Sequence, residues 1–70
     1  MNYGKVYNYN NIYGYIKDNN KKIFTFSYYA LEDKIKNGDL VIFKIADKKE
    51  NIAIDVMKCN KEIYVENKEI

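Results

Sequence analysis

Residues 12–17 read Ile-Tyr-Gly-Tyr-Ile-Lys, so isoleucine and glycine positions alternate with two tyrosines and a final lysine. Side chains of a β-strand point alternately to its two faces. The two isoleucines and Gly14 therefore share one face, and the two tyrosines share the other face with Lys17. Lysine is rarely fully buried, so Lys17 marks the tyrosine face as the one in contact with water. This stretch predicts a β-strand with two aromatic rings on its solvent side.

Similar short runs recur along the chain, separated by turn residues such as Asn10-Asn11, Asp18-Asn19-Asn20 and Asn37-Gly38. This spacing predicts an all-β fold, either a small sandwich or a barrel. We expect five strands in residues 3–9, 12–17, 22–27, 40–45 and 51–57. Residues 29–36 predict one short helical turn between strands 3 and 4, because Leu31 and Ile35 are four positions apart. Residues 62–66 are either an additional edge strand or a loosely packed extension.

The same alternation indicates which residues of the other strands face outward. In the first run, Lys5 marks an outer face that includes Tyr7. In the third run, Lys22 marks an outer face that includes Phe24 and Phe26. The fourth and fifth runs have no aromatic residue on their expected outer faces, and their expected inner residues are Val41, Phe43, Ile45, Ile52, Ile54 and Val56. Exposed rings are therefore expected only on the first three strands.

The composition limits the chemistry that this chain can perform. Its 70 residues make one small domain, and it has no histidine and one cysteine, Cys59. It therefore lacks the commonest general base, a Cys/His nucleophile pair and a credible metal site, and no glycine-rich phosphate loop is present. We expect neither catalysis nor a cofactor. The apolar runs are too short for a membrane span, and a lone cysteine suggests a reduced, cytoplasmic protein.

Exposed rings next to lysines are typical of proteins that bind single-stranded RNA or DNA, because every nucleobase has a flat π surface. Residues 1–30 contain four lysines and one aspartate, whereas residues 31–70 contain eight lysines and nine acidic residues. The candidate stacking residues are Tyr7, Tyr9, Tyr13, Tyr15, Phe24 and Phe26. Tyr9 could equally fold over the rim of the barrel and join the core. The candidate phosphate contacts are Lys5, Lys17 and Lys22.

Four motifs resemble those of the cold-shock domain family, and the match as a whole runs from about residue 3 to residue 58 in the right order. Gly4-Lys5-Val6 with Tyr9-Asn10 is similar to the family's first strand. Tyr13-Gly14-Tyr15-Ile16 resembles its first RNA-binding motif, and Ile23-Phe24-Thr25-Phe26 resembles its second, Val-Phe-Val-His-Phe. The stretch 35–43, Ile-Lys-Asn-Gly-Asp-Leu-Val-Ile-Phe, resembles the family's Leu-x-x-Gly-x-x-Val-x-Phe.

The resemblance implies a five-stranded antiparallel OB-type barrel in residues 1–60, an extension in residues 61–70, and low-specificity binding of single-stranded RNA or DNA. The sequence departs from the family at several positions: the histidine of the second motif falls at Phe26, and the loop before Ile35 is shorter and lacks an aromatic residue. The first-strand tryptophan of the family falls at Asn8, and the last aromatic of the second motif falls at Ser27 or, after a shift, at Tyr28. Tyr28 is therefore a further candidate stacking residue. The alternative is a protein-interaction module or homodimer that uses the exposed rings as its interface.

Overall fold

The computed structural model describes residues 2–59. They form five strands: β1 (Asn2–Tyr7), β2 (Tyr13–Lys17), β3 (Ile23–Ser27), β4 (Leu40–Ile45) and β5 (Ala53–Lys58). A short 3₁₀ helix, Tyr28–Ala30, follows β3. The edge strand expected at residues 62–66 and the domain boundary expected near residue 60 lie outside the described residues. Within the described part of the chain, no helix has the length and apolar character needed to cross a membrane.

The strands form one sheet in the order β3-β2-β1-β4-β5, and every neighbouring pair is antiparallel. The sheet curls until its two edge strands approach each other. There the backbone N–H of Thr25 donates a hydrogen bond of 2.8 Å to the carbonyl oxygen of Asn51, and Thr25 forms a parallel bridge with Ile52. The result is a partly closed barrel, which confirms the predicted all-β fold, a five-stranded barrel of the OB type.

The core fills the inside of this curled sheet with side chains from all five strands and from the connection between β3 and β4. Two rings meet at its centre, where the Phe24 and Phe43 centroids are 4.9 Å apart in an edge-to-face arrangement. The buried hydrophobic residues are Val6, Ile16, Phe24, Phe26, Ile35, Val41, Phe43, Ala53 and Val56.

The predicted orientation of β3 is wrong. Phe24 and Phe26 are 1% and 2% exposed, so both lie in the core. In the β2–β3 register Phe24 faces Ile16 and Phe26 faces Gly14, and residues paired across strands share a face. The marker used for the outer face, Lys22, lies just before β3 begins, where its ammonium group extends over the Phe24 ring at the end of the barrel. Its exposure therefore does not identify a water-facing side of the strand.

The inner faces of β4 and β5 also differ from expectation in part. Asp55 has a positive φ of 50°, and β5 contains an irregularity there that places two residues opposite Phe43. This β-bulge changes the alternation, so Ala53 and Val56 are buried, and Ile52 and Ile54 are only half-buried. At the end of β4, Ile45 is 38% exposed instead of buried.

The helical turn between strands 3 and 4 is confirmed, but it is shorter and earlier than predicted. After Ala30 the chain runs along β5, where Leu31 bridges Val56 and the N–H of Glu32 donates to the Val56 carbonyl at 2.8 Å. These backbone groups bond to a strand, so residues 31–36 do not form the expected helical turn.

Candidate functional site

The outer surface of β1 and β2 carries three tyrosines, Tyr7, Tyr13 and Tyr15, which we call the tyrosine cluster. Tyr7 lies opposite Tyr15, with ring centroids 5.6 Å apart and ring planes inclined by 32°. The ring of Tyr13 meets that of Tyr15 edge-on at 6.2 Å. Tyr13 is 49% exposed, and the other two are half-buried. The outward orientation predicted for these three rings is confirmed.

Gly14 lies between the two tyrosines of β2. It faces inward, where an added Cβ would lie 2.8 Å from the ring of Phe26 and 2.9 Å from the backbone of Tyr9. Any larger residue would push these groups away, because real Cβ atoms do not approach others so closely. Gly14 therefore allows the Phe26 ring to pack directly beneath the strand that carries Tyr13 and Tyr15.

Two lysines adjoin the tyrosine cluster on the same face. Lys5 and Lys17 lie directly opposite each other in the β1–β2 register, and both are exposed. The Nζ atom of Lys17 lies 5.3 Å from the centroid of the Tyr7 ring, a cation–π contact. We call these two residues the lysine pair. They occupy the outward positions predicted for them.

The remaining residues predicted for the second motif do not belong to this surface. Phe24 and Phe26 are core residues, so their predicted role in stacking is withdrawn. The residues of β3 that face outward are Ile23, Thr25 and Ser27. Lys22 is exposed at the turn before β3, and its Nζ atom lies 5.5 Å from the Phe24 ring centroid, at the end of the barrel.

Tyr9 takes the alternative position that the sequence left open. Its ring packs on Phe26 at 5.3 Å and borders the hydrophobic core. The side-chain amide of Asn37 clamps its backbone: Oδ1 accepts from the Tyr9 N–H at 2.7 Å, and Nδ2 donates to the Tyr9 carbonyl at 3.1 Å. We therefore count Tyr9 as a support of the barrel end and not as part of the tyrosine cluster.

A second group of exposed apolar side chains lies at one end of the barrel, and we call Ile12, Tyr28 and Tyr29 the end patch. The Tyr28 N–H donates to the Ile12 carbonyl at 2.7 Å, which joins the two segments. The Tyr28 and Tyr29 rings meet edge-on at 5.8 Å, and Tyr29 is 93% exposed. The sequence predicted Tyr28 as a stacking residue, and the structure places it in the end patch with Tyr29. Sequence reasoning did not single out Tyr29, because it lies in the predicted helical turn, where strand alternation does not apply.

The outer face of β4 and β5 has a different character. On this face Lys44 is paired with Asp55 at 3.8 Å. Lys58, which lies opposite the buried Val41 at the end of β5, is paired with Asp39 at the same distance. Tyr3 from β1 borders this half, next to the half-buried side chains of Ile42 and Met57. The lysines of β4 and β5 thus have carboxylate partners.

The described residues contain no group of three His, Cys, Asp or Glu side chains arranged to hold a metal ion. Burial raises the pKa of the Cys59 thiol above its usual range. Since the thiolate is the reactive form, this shift makes Cys59 a poorer nucleophile at neutral pH.

In comparisons with known proteins, no family model, no curated protein and no solved structure matches the chain.

Proposed function

We propose that this protein binds single-stranded RNA or DNA with low sequence specificity, by stacking bases on the tyrosine cluster. The observation that carries the proposal is the continuous patch of Tyr7, Tyr13 and Tyr15 on the solvent side of two adjacent strands. Exposed rings on a sheet are a platform for bases of any identity, and neighbouring lysines follow the backbone phosphates. This role is one of binding and not catalysis, and the lone cysteine fits a reducing, cytoplasmic setting.

The size of the cluster sets the affinity that we expect. Each stacked base contributes about 1–3 kcal/mol, so three rings supply roughly 3–9 kcal/mol before ordering costs. A dissociation constant in the micromolar range corresponds to about 8 kcal/mol. Stacking on three tyrosines therefore gives micromolar binding at best, and the lysines add a salt-dependent contribution.

A divergent cold-shock domain is the family we propose for this chain, with its second motif displaced by one residue. In the family pattern Val-Phe-Val-His-Phe, Phe24 and Phe26 take the positions of the two valines, because they face the core. Thr25 and Ser27 then replace the outward aromatic residues, and Tyr28 replaces the last phenylalanine. The stacking surface of β3 is thereby lost, and the site is concentrated on β1 and β2.

The test is a fluorescence anisotropy titration of short, labelled oligouridylate and oligothymidylate with wild type and a Tyr7→Leu/Tyr15→Leu variant. Leucine keeps an apolar contact on the sheet and removes the flat ring. We expect the affinity to fall at least roughly 30-fold, because the variant loses two stacking contacts that each contribute about 1 kcal/mol or more.

Tyr29→Ala is the matched control, because it removes an even more exposed tyrosine that lies off the sheet face. Its affinity should equal that of wild type. If the Tyr7→Leu/Tyr15→Leu variant, shown to be folded by circular dichroism, binds as tightly as wild type, the proposed stacking mechanism is wrong.

Self-association or binding of a protein partner is the second candidate function, and the end patch favours it. Large apolar side chains that cluster in water commonly mark protein interfaces, and tyrosine is enriched there. Sedimentation velocity distinguishes the two functions. A dimer that excludes oligonucleotide and dissociates in the Tyr29→Ala variant would support this second candidate, whereas a monomer that binds oligonucleotide would support the first.

A further inference from the structure

The lysine pair on β1 and β2 is an unusual feature for a small barrel of marginal stability. Like charges directly opposite each other on antiparallel strands destabilise a sheet. We infer that Lys5 and Lys17 together hold one backbone phosphate of the bound strand, and that this phosphate relieves their repulsion. This inference rests on the proposed function, and it assigns the position of the phosphate on the site.

No carboxylate among residues 2–59 forms an ion pair with either lysine. The residues beside them in the same row of the sheet are apolar, with Ile23 next to Lys17 and Leu40 next to Lys5. The lysine pair is thus a concentration of positive charge that the described protein does not neutralise.

The two acidic residues nearest in sequence to this row are bonded elsewhere. The Asp18 carboxylate accepts from the backbone N–H groups of Asn20 and Lys22, both at 2.9 Å. The Asp39 carboxylate accepts from the Lys36 N–H at 3.0 Å and pairs with Lys58. Both carboxylates therefore stabilise turns or strand ends, and neither is a counterion for the lysine pair.

The position of the lysine pair fits a nucleotide on the tyrosine cluster. Lys5 is two residues from Tyr7 on β1, and Lys17 is two residues from Tyr15 on β2. Two residues of extended strand span roughly 7 Å, so the two pairs are neighbours on the outer face. The cation–π contact holds the Lys17 ammonium beside Tyr7. A base stacked on Tyr7 and Tyr15 would place an adjoining phosphate within range of both ammonium groups, and ammonium is a strong donor to phosphate oxygens.

The experiment compares Lys5→Gln with wild type in two measurements. The midpoint temperature of thermal unfolding of the free protein should rise by roughly 2–6 °C, because the substitution removes the repulsion between residues 5 and 17. Affinity for the labelled oligouridylate should fall roughly threefold to tenfold at low salt. The slope of log affinity against log salt should become shallower by about 0.7, the value for one phosphate on a single strand.

Lys44→Gln is the matched control, since it removes the same charge from the outer face of a strand where a carboxylate is present. It should not raise the unfolding temperature, and it should leave the affinity and the salt slope unchanged. Similar changes in both variants would show an effect of net charge alone and would overturn the inference.

The failures of the two proposals can be told apart. If wild type binds oligonucleotide and Lys5→Gln keeps the same affinity and salt slope, the phosphate site is wrong while the stacking proposal stands. If the unfolding temperature of Lys5→Gln equals that of wild type, the inference that Lys5 and Lys17 repel each other in the free protein is wrong. If wild type binds no oligonucleotide at all, the proposed function fails, and the phosphate site fails with it.

Discussion

The outer face of the sheet has two halves that differ in their charges and aromatic rings: the first half is β1 and β2, and the second half is β4 and β5. On β1 and β2, three tyrosine rings lie beside two lysines that face each other without a carboxylate partner in the described chain. On the outer face of β4 and β5, Lys44 is paired with Asp55, and the two strands place no ring there. Both halves belong to the same curled sheet and share one core.

This difference distinguishes surface features that are ordinary in a folded protein from features that a bound ligand would explain. The Lys44–Asp55 ion pair of β4 and β5 is an ordinary feature of a solvated surface and contributes little to stability. The first half instead exposes apolar area and keeps like charges together, and both features carry a cost in a domain of this size. An anionic ligand with flat rings would remove both costs, and single-stranded nucleic acid has that chemistry.

The largest expected effect comes from removing a ring that lies inside the barrel, in contrast to a ring on its outer face. Phe24→Ala should destabilise the protein by about 3–5 kcal/mol, because Phe24 is buried and packs on Phe43. The total stability of a domain of this length is roughly 4–10 kcal/mol, so much of this variant should be unfolded at room temperature. Urea denaturation followed by circular dichroism measures the change.

Tyr13→Ala provides the comparison, since Tyr13 is the most exposed member of the tyrosine cluster. Its unfolding free energy should change by less than about 1 kcal/mol, the range expected for surface positions. Equal destabilisation by the two substitutions would contradict the assignment of inner and outer rings.

Sequence alternation predicted the faces of β2 correctly and those of β3 incorrectly, for a physical reason. In β2 the marker residue, Lys17, lies within the strand, so its exposure fixes the orientation of every other residue. Next to β3 the marker residue, Lys22, lies before the strand begins, and its Nζ atom reaches over the Phe24 ring at the end of the barrel. A lysine at a strand end can thus be exposed while it shares a side with core residues, and strand ends are the least certain part of a sequence prediction.

In β5, too, sequence alternation failed to predict which residues face the core. The bulge at Asp55 adds one residue to β5 and reverses the orientation of the residues on one side of it. No feature used in the sequence analysis distinguished Asp55 from an ordinary outward-facing strand residue. The tyrosine cluster could therefore be found from sequence, whereas the burial of Phe24, Phe26 and Ala53 required the pairing of strands.

The next effect concerns the glycine beneath the tyrosine cluster. Gly14→Ala should destabilise the protein by about 1–3 kcal/mol, because the new methyl group would meet the Phe26 ring and the Tyr9 backbone. Urea denaturation gives the size of the change, with Ser27→Ala on the exposed side of the paired strand as the control. A Gly14→Ala variant as stable as wild type would show that Phe26 and Tyr9 can move aside without loss.

The smallest expected effect lies in the second half, at the exposed ion pair between Lys44 and Asp55. A double-mutant cycle of Lys44→Gln and Asp55→Asn should give a coupling energy of about 0.2–1 kcal/mol, because both side chains are largely in water. The coupling should shrink as salt is raised, and none of the three variants should change the affinity for oligouridylate. Loss of oligonucleotide affinity on breaking this pair would show that the second half also contacts the ligand, and the contrast between the two halves would then be one of stability and not of function.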